Sequence, residues 1–205
     1  MEYLTGRKFD EWTSGLSPEE GRIRIFEEIR DIPYFIDLEM LDREKGPVKM
    51  LEVNRGSCSP KHYLLGSMYR MLGLSVRFCT YPFLWKEMDV GYPAELREMA
   101  DELPVTYHLA CRVLIKGKWV LVDATWDSAL REAAFPVNLE WDGNSDTFLA
   151  VNPLDEIAFE DVREREKALK EKMNSYGLPE KLKLSRFTMG LNKWLEKVRE
   201  LGSVR

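Results

Sequence analysis

The sequence predicts an α+β fold, with helices before and after a group of strands. An apolar pattern at helical spacing follows Cys58, and residues 155–205 are again helical in pattern. Between them lie three strand-like runs, residues 74–81, 106–115 and 119–126. Lys116-Gly117 suits a two-residue hairpin turn between the last two runs, so we expect these strands to be antiparallel.

The chain has the length and composition of one globular domain. Its 205 residues are 44% hydrophobic and 32% charged, which allows a full core. No internal repeat and no Gly/Ser/Pro-rich linker divides it. We therefore expect a single domain over residues 1–205, with its core at about 51–127 and a C-terminal helical extension at about 155–205.

The charge balance excludes several classes of partner. The formal net charge is −5, and no Lys/Arg cluster with interleaved aromatic residues offers a nucleic-acid surface. The first residues, M-E-Y-L-T-G-R-K, lack an apolar signal region, and no apolar run reaches membrane-spanning length. The prediction is a cytoplasmic protein that binds neither nucleic acid nor membrane.

The absence of glutamine beside abundant Glu, Lys and Arg favours a thermophilic source.

Two helix starts can be read from local chemistry. The motif Ser17-Pro18-Glu19-Glu20 supplies an N-cap, a helix-starting proline and acidic first-turn residues, which predicts a helix to about Arg30. Further along, Ser59 suits an N-cap and Pro60 the first helical position. Gly73 is placed to end that second helix. The irregular segment 82–104 can hold a short helix at about 94–102 and form one wall of a cleft.

The C-terminal extension predicts two helices, at about 160–174 and 185–201. The second carries one apolar stripe, formed by Phe187, Leu191, Trp194, Leu195, Val198 and Leu201. Packing of this stripe on its own domain is the favoured interpretation. An oligomer formed through the C-terminal helix is the alternative.

Cys58 has the setting of a nucleophile. The three cysteines form no C-x-x-C pair, so each must be judged alone. Cys58 lies where a helix begins, and unpaired N–H groups there favour a thiolate and can receive an oxyanion. Gly56 allows the backbone to approach a substrate closely.

The hairpin register selects a base and an acid for that nucleophile. With Lys116-Gly117 as the turn, Ala110 lies opposite Asp123, so His108 and Asp123 are diagonal neighbours on one face. The other face is almost wholly apolar and is predicted to be core: Leu109, Cys111, Val113, Val120, Val122 and Ala124. A register slip of one residue would separate His108 from Asp123.

Two segments carry a resemblance to a known family. G-S-C at 56–58 with K-H-Y-L-L-G-S-M-Y-R-M-L-G-L-S-V-R at 61–77, and Y-H-L-A-C-R-V-L-I-K-G-K-W-V-L-V-D-A-T-W-D at 107–127, resemble the transglutaminase-like superfamily. The order Cys, His, Asp matches over about residues 51–127. The resemblance implies a papain-like core, in which a Cys-bearing helix packs on an antiparallel sheet bearing His and Asp, in a single-domain microbial or archaeal member. It further implies Cys58 as nucleophile, His108 as base and then acid, and Asp123 as the residue that fixes the imidazole tautomer.

The resulting hypothesis is a cysteine-dependent acyl-transfer enzyme, without metal or cofactor. It would hydrolyse a peptide or side-chain amide, in a peptide, protein or small amide substrate, through a thioester at Cys58. Asn54 and the Cys58 amide are candidate oxyanion donors. The full set of candidate substrate-binding residues is Asn54, Gly56, His62, Trp85, Tyr92 and Trp126. The alternative is a transglutaminase-like binding or scaffold module with weak or no catalysis.

Rival assignments remain open at several positions. His62, four residues after Cys58, is an alternative base, and Asp127 is an alternative orienting acid on the face of Asp123. A zinc site built from the cysteines and histidines is disfavoured, because Cys111 lies on the face opposite His108. Residues 142–146 resemble the start of a calcium loop, but the later positions of that motif do not match, so a solvated turn is favoured.

Overall fold

The computed structural model describes residues 2–159 and 161–202. In chain order its helices and strands are α1 Glu2–Thr13, α2 Pro18–Arg30, α3 Lys45–Val53, α4 Cys58–Met71, β1 Val76–Phe83, α5 Ala94–Asp101, β2 Thr106–Ile115, β3 Lys118–Val122, β4 Ile157–Phe159, α6 Val162–Ser175 and α7 Leu178–Gly202. Short 3-10 helices cover Leu38–Met40, Trp85–Glu87 and Ser128–Ala133. The fold is therefore α+β, as the sequence predicts.

The four strands form one antiparallel sheet in the order β3-β2-β1-β4. Strands β2 and β3 pair with Cys111 opposite Val122, which is the predicted register. Lys116 and Gly117 both have positive φ, 50° and 81°, as a primed hairpin turn requires. β3 ends at Val122, so Asp123 lies just beyond the ladder, where its backbone N–H donates to Thr147 Oγ1 and its carbonyl accepts from Asn138 Nδ2.

Two apolar cores cover the two faces of the sheet. The predicted apolar face of the hairpin is completely buried in the first core, where it packs with residues of α2 and α4. The second core contains Cys79 and Ala110 of the sheet together with residues of α5 and α7. Both faces of β2 near His108 are consequently buried.

Helix α2 begins and ends where the sequence predicts. Ser17 caps it through a capping box with Glu20, and the helix ends at Arg30. Helix α4 begins two residues earlier than predicted, with Ser57 as N-cap and Cys58 as its first residue. Pro60 is accommodated because first-turn N–H groups have no acceptor within the helix. Cys58 is thus part of the first turn and does not merely precede it.

Helix α7 begins at Leu178, earlier than the predicted 185, because Pro179 again fits within a first turn. Its stripe packs within the chain: Phe187, Leu191 and Leu195 are buried, and Trp194 and Val198 pack against the same core. Leu201 is the exception, being 72% exposed. The favoured interpretation of the stripe holds for the other five residues.

Helix α6 begins at Val162. Position 160, where this helix was predicted to begin, lies outside the described residues, as does the end of the C-terminal extension at 203–205. Among the helices of the described ranges, none is both long enough and apolar enough to cross a membrane.

Candidate active site

Cys58 is half-buried at the start of α4. Its sulfur lies near the His108 side chain and the Leu109 backbone N–H. Burial opposes ionisation of the thiol, but His108, the Leu109 N–H and, to a smaller extent, Arg165 together lower the pKa of Cys58 below its usual value. The arrangement favours a thiolate with an imidazolium beside it.

His108 lies between Cys58 and Asp123. Its Nε2 is 2.8 Å from Asp123 Oδ2, which leaves Nδ1 as the ring nitrogen for Cys58. Burial alone would lower the pKa of His108, but the Asp123 carboxylate and the Cys58 sulfur raise it to about 10. The imidazole is therefore held in its protonated form beside the sulfur.

Asp123 is fully engaged and completely buried. Its Oδ1 accepts hydrogen bonds from Thr125 Oγ1 at 2.6 Å and from the Thr125 N–H at 3.2 Å. Its Oδ2 accepts from the Ala150 N–H at 2.8 Å as well as from His108. Burial would raise the pKa of Asp123, but His108 and these donors lower it to about 2. The carboxylate is fixed in one orientation and stays ionised.

His62 is not placed to act as a base or to contact substrate. It is 0% exposed, and its ring bridges two backbone groups, with Nδ1 2.8 Å from the Cys58 carbonyl and Nε2 accepting from the Ala124 N–H at 3.1 Å. Burial lowers the pKa of His62 to about 4, so the ring is neutral. Both earlier expectations for His62 are corrected: it ties the first turn of α4 to the end of β3.

Asp127 is likewise removed from the role of orienting acid. It accepts from the Tyr34 N–H at 2.8 Å and pairs with Arg199 at 2.7 Å. These contacts fasten α7 to the segment before α3. Asp123 is the carboxylate that reaches His108.

Gly56 and Asn54 have structural explanations. Gly56 exchanges backbone hydrogen bonds with Pro33 and Phe35, and a Cβ there would lie 2.7 Å from Met50 Cγ. Its backbone therefore approaches the chain's own segment, not a substrate. Asn54 is exposed and caps α3 in the left-handed region, with φ 49°, a conformation that asparagine tolerates.

The three aromatic residues expected to line a groove are part of the second core. Trp85 and Trp126 are buried, and Tyr92 packs against the same cluster. Trp85 contacts Phe187, whereas Trp126 donates its Nε1–H to the Ala150 carbonyl. Helix α7 covers this part of the irregular segment. The burial of Trp85 and Trp126 leaves little of either side chain at the surface, whereas substrate binding by the half-buried Tyr92 stays a prediction.

Cys111 is completely buried on the apolar face, as predicted, and its thiol donates to the His62 carbonyl. Cys79 is also completely buried. Burial raises the pKa of Cys79 to about 11 and that of Cys111 well above its usual value. Both thiols therefore ionise less readily than that of Cys58. Within residues 2–159 and 161–202 no three potential ligands cluster as a metal site would need.

Two charged residues of the site were missed by reading the sequence. Lys61 is completely buried and donates to the carbonyls of Arg30 at 2.9 Å and Thr125 at 2.7 Å. Burial lowers its pKa to about 7. Arg165 of α6 is 1% exposed and lies close to the first turn of α4. Nothing in the local pattern around either residue distinguishes it from a surface cation.

No family model matches this chain, and no curated protein matches it. Among solved structures, it is similar to the crystal structure of a "putative cysteine protease" from Cytophaga hutchinsonii, with a TM-score of 0.43 and 17% sequence identity. That similarity covers 60% of this chain and 37% of the other, and at this level it assigns no function.

Proposed function

We propose that this chain is a cysteine-dependent acyl-transfer enzyme of the transglutaminase-like class, hydrolysing a peptide or side-chain amide through a thioester at Cys58. The observation that carries the proposal is an arrangement in which His108 Nε2 lies 2.8 Å from the Asp123 carboxylate and the same ring lowers the pKa of the Cys58 thiol. It joins a nucleophile at a helix start to a base whose orientation a third group fixes. The sequence resemblance at 56–77 and 107–127 supports the same assignment.

In the first half of the reaction, the Cys58 thiolate attacks the amide carbonyl carbon, and the carbonyl π electrons move to oxygen. Collapse of this tetrahedral oxyanion re-forms the carbonyl and breaks the C–N bond. His108 gives its Nδ1 proton to the departing nitrogen, so the leaving group is a neutral amine. The products are a thioester on Cys58 and a neutral imidazole.

In the second half, His108 takes a proton from water while the water oxygen attacks the thioester carbon. Collapse expels the Cys58 thiolate and releases the carboxylic acid, which restores the thiolate–imidazolium pair. Asp123 remains ionised throughout and holds Nε2, so Nδ1 always faces the sulfur. The first-turn N–H groups of α4 are the candidate oxyanion donors, since helix geometry leaves them without an intrahelical acceptor.

A non-catalytic binding module is the second candidate, and the shape of the surface favours it. Among the surface depressions of the described residues are one at 138–148 and one lined by Pro33, Phe35, Asn54, Arg55, Glu196, Arg199 and Glu200. Cys58 lines neither of them. A module of this kind would keep the fold and lack acyl transfer.

Acyl transfer from p-nitrophenyl acetate separates the two candidates. For an enzyme we expect acetylation confined to the Cys58 peptide, detected by mass spectrometry, and a burst of p-nitrophenol equal to the protein concentration. Cys58→Ser should abolish the burst, and His108→Ala should slow it at least about a hundredfold. A native protein in which Cys58 reacts no faster than a model thiol, and in which His108→Ala changes nothing, would leave the binding module as the function.

A further inference from the structure

Arg165 is a buried cation surrounded by hydroxyl groups. Its Nε donates to Thr80 Oγ1 at 3.0 Å, one terminal nitrogen donates to the Tyr63 hydroxyl, and the other lies 3.4 Å from Ser59 Oγ. The guanidinium carbon is also 5.5 Å from the centre of the Tyr63 ring. Arg165 is the buried residue of α6, so this contact brings the helix to the first turn of α4.

No carboxylate among the described residues pairs with this guanidinium. The other buried arginines differ in this respect: Arg22 bonds Glu19 and Arg30 bonds Asp31. Placing a charge in a protein interior costs several kcal/mol when no opposite charge offsets it. Three neutral hydroxyls accept hydrogen bonds from Arg165 but do not neutralise its charge.

The missing negative charge is available one residue from Ser59. When Cys58 is a thiolate, the group Cys58, His108 and Asp123 carries charges of −1, +1 and −1, a net charge of −1. Arg165 brings the sum to zero. It is among the groups that lower the pKa of the Cys58 thiol, after His108 and the Leu109 N–H.

We propose that Arg165 is a positioning residue of the Cys58 site, whose buried charge balances the ionised Cys58–His108–Asp123 group. Docking of α6 would then be required for Cys58 to reach its reactive, ionised state. This inference rests on the proposed role of Cys58. Three other titratable groups interact electrostatically with the Cys58 sulfur: His108 from β2, Tyr63 from α4 and Tyr34 from the segment before α3.

Helix α6 also contacts strands β1 and β4 and the segment just before α3. Glu166 accepts from Arg43 at 2.8 Å on the side facing the start of α3. Val162 packs against the first core. Because Arg165 supplies the deepest contact of this helix, the same residue would join docking of α6 to ionisation of the thiol.

The pH profile of Cys58 alkylation tests the proposal. The second-order rate constant with iodoacetamide is measured from pH 4 to 10, with the labelled peptide identified. Arg165→Gln removes the charge and retains hydrogen-bonding groups, so its midpoint should rise by about one pH unit. Arg165→Lys retains the charge, and its midpoint should stay within about 0.3 units of the native value. Arg163→Gln, the same change at an exposed position of the same helix, should have no effect.

Thermal unfolding of each variant, recorded in parallel, separates charge from stability. A lower Tm with an unmoved midpoint in Arg165→Gln means that Arg165 only holds α6, and it overturns the proposal. Equal midpoint shifts in Arg165→Gln and Arg165→Lys overturn it too. If Arg165→Gln does not fold, Arg165→Lys decides alone, and a midpoint more than about half a unit above native is the contrary result.

His108→Ala distinguishes a failure of this inference from a failure of the proposed function. If His108→Ala raises the alkylation midpoint and Arg165→Gln does not, Cys58 remains the nucleophile and Arg165 loses its role. If His108→Ala leaves the midpoint unchanged, the proposed function fails, and the inference about Arg165 fails with it.

Discussion

Replacing His62 with glutamine removes an imidazole that bridges the Cys58 carbonyl and the Ala124 N–H. The native ring must be neutral, because burial lowers its pKa from 6.5 to about 4. The unfolded chain therefore binds one more proton than the folded protein between these two values. Stability rises with pH in that window and is lost as the pH falls through it.

The size of the effect follows from the two pKa values. For a group that titrates at about 4 when folded and 6.5 when unfolded, the destabilisation is about 0.2 kcal/mol at pH 7 and about 2 kcal/mol at pH 5. His108 acts with the opposite sign, because its folded pKa lies above its unfolded value. The stability from His108 is fully present below pH 6.5 and is lost as the pH rises toward 10. The contribution of His108 is the same in the native protein and in His62→Gln, so the difference in unfolding free energy between the two proteins reports on His62 alone.

Urea unfolding at pH 5, 6 and 7, followed by tryptophan fluorescence, measures the difference. His62→Gln should be less stable than the native protein at pH 7, because glutamine cannot make both backbone contacts as well. The gap in unfolding free energy should then shrink by about 2 kcal/mol between pH 7 and pH 5. A gap that stays constant within about 0.3 kcal/mol would refute a neutral, buried His62. His108→Gln serves as the matched control, since the same substitution there should not narrow the gap on acidification.

Lys61→Met removes a buried amine of pKa about 7. Because the folded protein releases this proton at a lower pH than the unfolded chain does, the unfolding free energy of the native protein should rise by about 2 kcal/mol relative to that of the variant between pH 7 and pH 9. A difference in unfolding free energy that is the same at both pH values would contradict this. Asp123→Asn takes away the charge that keeps the imidazole protonated, so alkylation of Cys58 at pH 7 should slow at least about tenfold in a protein that still unfolds cooperatively. Arg199→Met leaves Asp127 buried without its ion pair and should lower the unfolding free energy by about 3 kcal/mol. The control is Lys197→Met at an exposed position of the same helix, which should change it by less than about 0.5 kcal/mol. Equal effects of the two substitutions would show that the Arg199–Asp127 ion pair contributes nothing to stability.

Helix-capping and turn preferences predicted the structure correctly where it depends on residues close together in the sequence. The capping box at Ser17 and the turn at Lys116-Gly117 are each complete within a few residues, and both define their elements as the sequence predicts. The hairpin register in turn brings His108 to Asp123, because a period of two leaves one arrangement that buries the apolar face. The site geometry on β2 and β3 was therefore accessible from the sequence.

The burial of side chains by segments distant in the sequence could not be predicted in the same way. Trp85 and Trp126 lie in irregular segments, and the local sequence does not distinguish an aromatic side chain that lines a groove from one that is covered by a helix distant along the chain. The cover over Trp85 includes Phe187 of α7. Lys61 and Arg165 resemble surface cations because their acceptors come from other parts of the chain. Their burial is fixed by the tertiary structure alone.

The contacts that surround Cys58 differ widely in the length of chain they close, and this sets an order of assembly during folding. His108 and Asp123 are 15 residues apart, whereas Arg165 reaches Ser59 across 106 residues. Closing the longer loop costs about 1.7 kcal/mol more in chain entropy. We expect the hairpin to form early and α6 to dock late, after most of the sheet has paired. Refolding followed by pulsed hydrogen exchange would then show protected β2 and β3 amides before Cys58 regains its native alkylation rate.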